Sequence, residues 1–239
     1  MVSVLVYVTG DMHGDLGCFG RRRLRRLKKG DTLIVCGDFG FVFDGSEKEK
    51  RALKWIGRRR YNVVFVEGVH DNLDLIAEYP TEEWNSGMTH AISGTLRHLC
   101  RGHIFDIDGF SILAFGGGGQ SELEENIPWG SGLLPDANEI DTTRGRLQAL
   151  GNKVDYIVTH QCGGRLRSLL TMREDDANAL DIFLDEQRAG LSYKAWFFAG
   201  FHVDKLIPPT DVALFEEVVK LGEPISLKSR GSTRRLRRF

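Results

Sequence analysis

Val2-Ser3-Val4-Leu5-Val6-Tyr7-Val8-Thr9-Gly10-Asp11-Met12-His13 is the stretch that decides the fold. A β-branched, apolar run reads as a strand buried on both faces, and Thr9-Gly10-Asp11 ends it as a turn. The same grammar recurs downstream. Thr32–Cys36 ends at Gly37-Asp38, and Asn62–Val66 ends at Glu67-Gly68-Val69-His70-Asp71. Between these strands lie helix signals: a basic segment from about Leu16 to Lys29, and a polar one from Ser46, a candidate N-cap, to Arg59. Repeated strand-then-helix units predict a parallel sheet covered by helices, an α/β fold.

Beyond residue 75 the pattern changes. From His90 to Phe115 short apolar stretches alternate with the turns Ser93-Gly94, Arg101-Gly102 and Asp108-Gly109, which predicts antiparallel hairpins. A helix over about 137–150 leads to strand Val154–Thr159, and another over about 178–189 leads to strand Ala195–Phe198. The pair Lys205–Ile207 and Asp211–Phe215 then reads as a last hairpin. No repeat and no linker divides the chain. We expect one domain over residues 1–222 and a basic, flexible tail over 223–239.

Composition bounds the rest. With 239 residues and 41% hydrophobic content, the chain can bury a sizeable core. Four separated cysteines, with no C-x-x-C, exclude a disulfide scaffold or zinc ribbon and suit a reducing cytoplasm. No apolar run approaches the roughly 20 residues of a membrane span, and no secretory leader is expected. The net charge of -1 is a cancellation: residues 228–239 carry +6, so the remainder carries -7.

In open α/β sheets ligands bind beyond the carboxyl ends of the strands. Here those ends deliver, in order, Asp11 and His13, Asp38, His70 and Asp71, His160, and His202. One such residue is an ordinary turn feature; the repetition points to a metal centre. Imidazole mixed with carboxylate suits Mn2+, Fe or Zn2+, whereas Mg2+ or Ca2+ asks for nearly all oxygen.

This ordered series, Asp11-Met12-His13, Gly37-Asp38, Gly68-Val69-His70-Asp71, Thr159-His160 and Gly200-Phe201-His202, resembles the calcineurin-like metallophosphoesterases, including bacterial Ser/Thr phosphatase-like members. Their pattern is D-x-H, G-D, G-N-H-D/E, H and G-H-x-H. The resemblance implies a four-layer α/β/β/α sandwich of two mixed sheets flanked by helices. It implies a hydrolase in which metal-activated water attacks a phosphomono- or diester in line. Asp11, His13, Asp38 and His202 would hold one ion, and Asp38 and His160 a second. His70, oriented by Asp71, would serve the leaving group. Mn2+ is the expected metal.

Two family positions differ. Val69 stands where the family has Asn, and Gly200 where it has the first His of G-H-x-H. The second ion therefore lacks ligands, with Asn72, Gln161, Cys162 and Asp204 as candidates to complete it. The rival reading is a non-catalytic module that keeps the fold and binds a phosphorylated ligand or a protein.

Other features are weighed against plainer alternatives. The loop Gly116–Gly119 reads either as a phosphate cradle, with Gly117 and Gly118 (and Asn72 nearby) binding substrate, or as a plain turn. It is no Walker A loop, because no Gly-Lys-Ser/Thr follows. The runs Arg21-Arg22-Arg23, Arg25-Arg26 and Lys28-Lys29 read as a solvated helical face, with nucleic acid as the alternative partner through this helix and the tail. Trp55, Trp84 and Trp196 read as core, and Trp129, in the irregular loop beside Pro128, reads as a plain loop residue with a place in a substrate cleft as the alternative. Phosphorylated small molecules, nucleotides and phosphoproteins all fit as substrates.

Overall fold

The computed structural model describes residues 4–119, 132–173 and 176–227. Trp129 and the basic residues 228–239 lie outside the described residues.

The first three strands form as the sequence predicts: β1 (Val6–Thr9), β2 (Thr32–Val35) and β3 (Asn62–Phe65). Between them come α1 (Glu47–Gly57) and, after β3, α2 (Leu73–Ala77). The chain continues through β4 (Thr81–Trp84), β5 (Gly87–Ser93), β6 (Leu96–Leu99), β7 (His103–Ile107) and β8 (Phe110–Phe115). Next are α3 (Ala137–Ala149), β9 (Tyr156–Thr159), α4 (Gly164–Thr171), α5 (Ala179–Gly190) and β10 (Ala195–Phe198). Three short strands close the described part: β11 (Lys205–Ile207), β12 (Asp211–Ala213) and β13 (Val218–Lys220).

These strands make two mixed sheets. The first has the order β13-β1-β2-β3-β6-β5-β4, and the second β11-β12-β10-β9-β8-β7. Strands β1, β2 and β3 run parallel, with Thr9, Val35 and Phe65 in one row, so their carboxyl ends emerge side by side. In the second sheet β9 lies parallel to both β8 and β10.

Period-two alternation sorts the apolar side chains into separate cores. Val8, Ile34 and Val64 meet Val158, Phe197 and Ala114 in a central cluster drawn from both sheets. Leu33, Val35, Val63 and Phe65 face outward and pack with Leu53 and Ile56 of α1 and Ile76 of α2. On the far side Ile157, Trp196 and Phe198 pack with Leu147 of α3, Leu166 of α4, and Phe183 and Leu184 of α5. Helix starts follow local chemistry: Ser46 caps α1, while Asp136 with Glu139 and Asn178 with Asp181 form capping boxes on α3 and α5.

Several expectations change. The basic segment is not an α-helix but two 3-10 turns, Leu16–Gly20 and Leu24–Arg26. Gly17 and Gly20 each disfavour an α-helix by about 1 kcal/mol relative to alanine. Two of its arginines also turn inward: Arg21 donates to the Thr9 hydroxyl at 2.7 Å, and Arg23 donates to the Val218 carbonyl. Only β4–β5–β6 and β7–β8 pair as antiparallel neighbours in the middle of the chain; Arg101-Gly102 instead carries it from the first sheet to the second. Trp55 is not core but 42% exposed, with the Arg59 guanidinium 3.5 Å above its ring. Ile225 and Leu227 pack against the central cluster, so the segment after residue 222 is joined to the body as far as 227.

Candidate metal centre

The loops after β1, β2 and β3 are tied to one another before any side chain is considered. The Asp38 carbonyl accepts from the amides of Met12 and His13 at 3.0 and 2.9 Å, and Gly14 N–H donates to the Phe39 carbonyl. The Asp71 carboxylate, fully buried, accepts from the amides of Phe39, Gly40 and Gly68 at 3.1, 2.7 and 2.9 Å. In the second sheet Ala199 N–H donates to the His160 carbonyl at 3.0 Å.

On this frame the strand-end residues converge. The Nε2 atoms of His13 and His202 lie 2.9 Å apart, and His202 Nε2 is 3.4 Å from Asp11 Oδ2. His13 Nδ1 is 3.9 Å from Asp38 Oδ2. His160 Nε2 is 3.6 Å from Asp38 Oδ1, and its Nδ1 is 3.3 Å from the Cys36 carbonyl. That carbonyl takes the Nδ1 proton and turns Nε2 toward the carboxylates, the usual way a ligating histidine is oriented. Ligand atoms group within 4.8 Å as Asp11–His13–His202, as His13–Asp38–His70, and as Asp11–Asp38–His160.

Three of these residues hold a left-handed backbone: His13 at φ 46°, Asp38 at 42° and His202 at 51°. Non-glycine residues adopt it at a cost of order 1–3 kcal/mol, and such strain gathers where side chains must be aimed. Close approach is also enforced by glycine. A β-carbon at Gly68 would sit 2.2 Å from Asp38 Oδ1, and one at Gly37, whose φ is +90°, 2.4 Å from His160 Nδ1.

The electrostatics suit cations. Burial pushes the Asp11 carboxyl up to about 7, against the pull of His160 and with the added push of Asp38. Asp38 is buried too, but His160 and the hydrogen bonds from His70 hold it well below the usual carboxylate range. Burial lowers His13 and His202, keeping both rings neutral and able to donate a lone pair. Below about pH 7 a proton therefore competes with an ion for Asp11. Affinity for a divalent cation is expected to fall as pH drops from about 7, by up to about tenfold per unit, and to level off above it. Calorimetric titration across pH 5.5–8.5 checks this, with one proton released per ion at the low end (the pH range is about that over which Asp11 titrates).

Several sequence expectations end differently. Asn72 does not enter the site: it caps α2 by accepting from Leu75 N–H and donates to the Phe43 carbonyl. Gln161 binds Asp181 and Gly119 N–H, and Asp204 accepts from the amides of Phe215, Glu216 and Glu217. The Gly-rich loop is a turn rather than a cradle, because Gly117 N–H donates to the Glu67 carbonyl and Gly118 N–H to the Leu133 carbonyl. Asp71 does not orient His70; the His70 ring leans on Asp38, with Nδ1 2.8 Å from Oδ2, and its own amide donates to Oδ1.

What sequence reasoning missed is the double placement of Asp11, which it assigned to one ion only. This carboxylate faces His202 with one oxygen, and its ligand atoms group both with His13 and His202 and with Asp38 and His160, so it reaches both candidate ion positions. Gly200 contributes too, its amide donating to both Asp11 oxygens at 3.3 and 3.2 Å. No spacing rule reveals either, since both depend on how the two sheets meet.

A model of the calcineurin-like phosphoesterase family matches residues 4–203, the span that carries all of these groups. The chain belongs to that family. A solved structure from Aquifex aeolicus, a protein of unknown function designated AQ665, is similar to this calcineurin-like phosphoesterase chain at 15% identity. The match covers 67% of this chain and 80% of that one, with a TM-score of 0.34. No curated protein matches it. Among the described residues of this family member, no helix is long and apolar enough to cross a membrane.

Proposed function

We propose that this protein hydrolyses a phosphomono- or diester with Mn2+ at the strand-end centre. The observation that carries the proposal is the convergence of Asp11, His13, Asp38, His160 and His202 from both sheets onto overlapping ligand groups within 4.8 Å. Asp11, His13, Asp38 and His202 would hold one ion. Asp38 and His160, joined by Asp11, would hold a second, which compensates in part for Val69 and Gly200. When bound, such ions supply Lewis acidity and an activated water for in-line attack on phosphorus.

The remaining work falls to this chain's own groups. Buried Asp11 and Asp38 fix the charge that retains the cations. His70, whose side chain is 41% exposed, stands at the solvent side with Nδ1 tied to Asp38. That bond orients the ring, so the proton offered to a leaving oxygen is the one on Nε2.

The test is metal content per chain, measured with hydrolysis of an aryl phosphodiester under added Mn2+ and after chelation. Turnover that needs the ion supports the reading; fewer than one ion bound and no turnover with any metal would sink it. That second outcome would favour the phospholigand-binding module, the reading to which Val69 and Gly200 lend weight. His70→Ala is expected to cut kcat about 10²–10⁴-fold while the ion content stays unchanged. Unaltered turnover would remove His70 from the chemistry. Phosphorylated small molecules, nucleotides and phosphoproteins are the proposed substrates, and a reducing cytoplasm, consistent with the four free cysteines, the proposed location.

A further inference from the structure

A second group of ligand-type side chains lies apart from the strand-end centre and shares no residue with it: His90, His98 and Cys100. His90 on β5 and His98 on β6 are direct partners across the antiparallel pair. Cys100, two residues after His98, follows on the same strand direction and so projects to the same side. His90 Nδ1 and His98 Nδ1 are 3.1 Å apart, and Cys100 Sγ is 3.5 Å from His90 Nδ1. A tetrahedral Zn2+, with bonds of about 2.0–2.1 Å to nitrogen and about 2.3 Å to sulfur, needs edges of about 3.3 Å and about 3.6 Å. The observed edges lie within a few tenths of an ångström of these.

The surroundings are those of a ligand set. The far nitrogen of His98, Nε2, sits 2.8 Å from Glu67 Oε2, and both side chains are buried. The Arg101 guanidinium holds the other Glu67 oxygen with two bonds, at 2.8 and 2.6 Å. Glu67 paired in this way with Arg101 accepts from His98, which therefore carries its proton on Nε2 and turns an unprotonated Nδ1 toward His90 and Cys100. A carboxylate behind a histidine is the arrangement that fixes the tautomer of zinc ligands. Phe65, with its ring centroid 5.2 Å from that of His98, helps to fix the orientation of the imidazole. His90 and Cys100 are half-buried, which leaves an entry path and a fourth position for water.

We infer that His90, His98 and Cys100 form a second, distinct Zn2+ site, with Glu67 orienting His98 behind it. Two nitrogens and one thiolate are a borderline-soft set, which favours Zn2+ over the Mn2+ proposed for the oxygen-rich centre. Cys100 would bind as the thiolate, so the ion displaces its proton to solvent. The site would clip β5 to β6 and steady Glu67, from which the chain runs directly into Gly68–Asp71.

Cobalt distinguishes the two centres, because a thiolate-to-cobalt charge-transfer band requires a cysteine ligand. Among the described residues the strand-end groups contain none, since Cys162, a candidate from the sequence, is buried in the core with Leu166 and Phe183. The full chain, stripped of metal, is titrated with Co2+. One band-forming equivalent per chain is expected, also in the Asp11→Asn/His202→Ala variant, and added Zn2+ should bleach it. Cys100→Ser should abolish the band with an unchanged circular dichroism spectrum, and Glu67→Gln should weaken binding about 10–100-fold. A folded wild-type chain without the band, or a band that survives in Cys100→Ser, overturns the inference. In the first case the three side chains are only a hydrogen-bonded chain.

Discussion

Asp38→Asn is expected to lower kcat/KM by about 10³-fold or more, equivalent to about 4 kcal/mol of transition-state stabilisation. The residue serves three neighbours at once. Its oxygens face His160 and His13, and they accept both the amide and the Nδ1 proton of His70. Asparagine keeps the shape and one acceptor but removes the charge that retains cations and steadies His70. The same change should also lower the stability of the metal-free fold. His160 and the hydrogen bonds from His70 hold the Asp38 carboxyl well below the usual carboxylate range, so its ionised form stabilises the fold, and losing it outweighs the relief of its repulsion on Asp11 and Asp71. Activity and ion content on one side, and thermal unfolding of the chelated protein on the other, check the two halves. An Asp38→Asn protein with near wild-type turnover would refute the centre.

Asp71→Ala is expected to act chiefly on the fold. Its carboxylate ends three amides from two different loops, two of them buried and that of Gly40 partly so, and each orphaned buried donor costs about 1–3 kcal/mol. A loss of about 3–6 kcal/mol is a large part of the roughly 5–15 kcal/mol of a typical domain. For a chain of this size, at about 2–4 °C per kcal/mol, it lowers Tm by about 6–24 °C. Differential scanning calorimetry of the chelated protein checks it. If the variant unfolds like the wild type and loses only kcat, Asp71 belongs to the chemistry and not to the frame.

The contrast between these two neighbours shows where sequence reading reaches and where it stops. The strand ends were legible because each β-branched run stops at a glycine or aspartate turn, and parallel pairing brings such turns to one edge. Asp11, His13, Asp38, His70, His160 and His202 could therefore be picked out singly. The part played by Asp71 was not legible, because its partners Phe39 and Gly40 lie more than thirty positions away and offer only backbone. Nor was the approach of Asp11 to His160, which is set by the packing of one sheet on the other. The glycines at 116–119 misled for a related reason: their composition permits a phosphate cradle, but the Glu67 and Leu133 carbonyls already occupy the amides of Gly117 and Gly118. The basic run from Arg21 misled through charge alone, since no pattern announces which arginines will turn inward.

The left-handed backbones at His13, Asp38 and His202 set two kinds of selection against each other. A lineage judged only on folding would drift toward glycine at all three positions, since each replacement relaxes the main chain. A lineage judged on holding cations cannot take that path, because the side chain aimed by the strained torsion is the one that would be lost. In this chain all three positions carry both the side chain and the left-handed backbone.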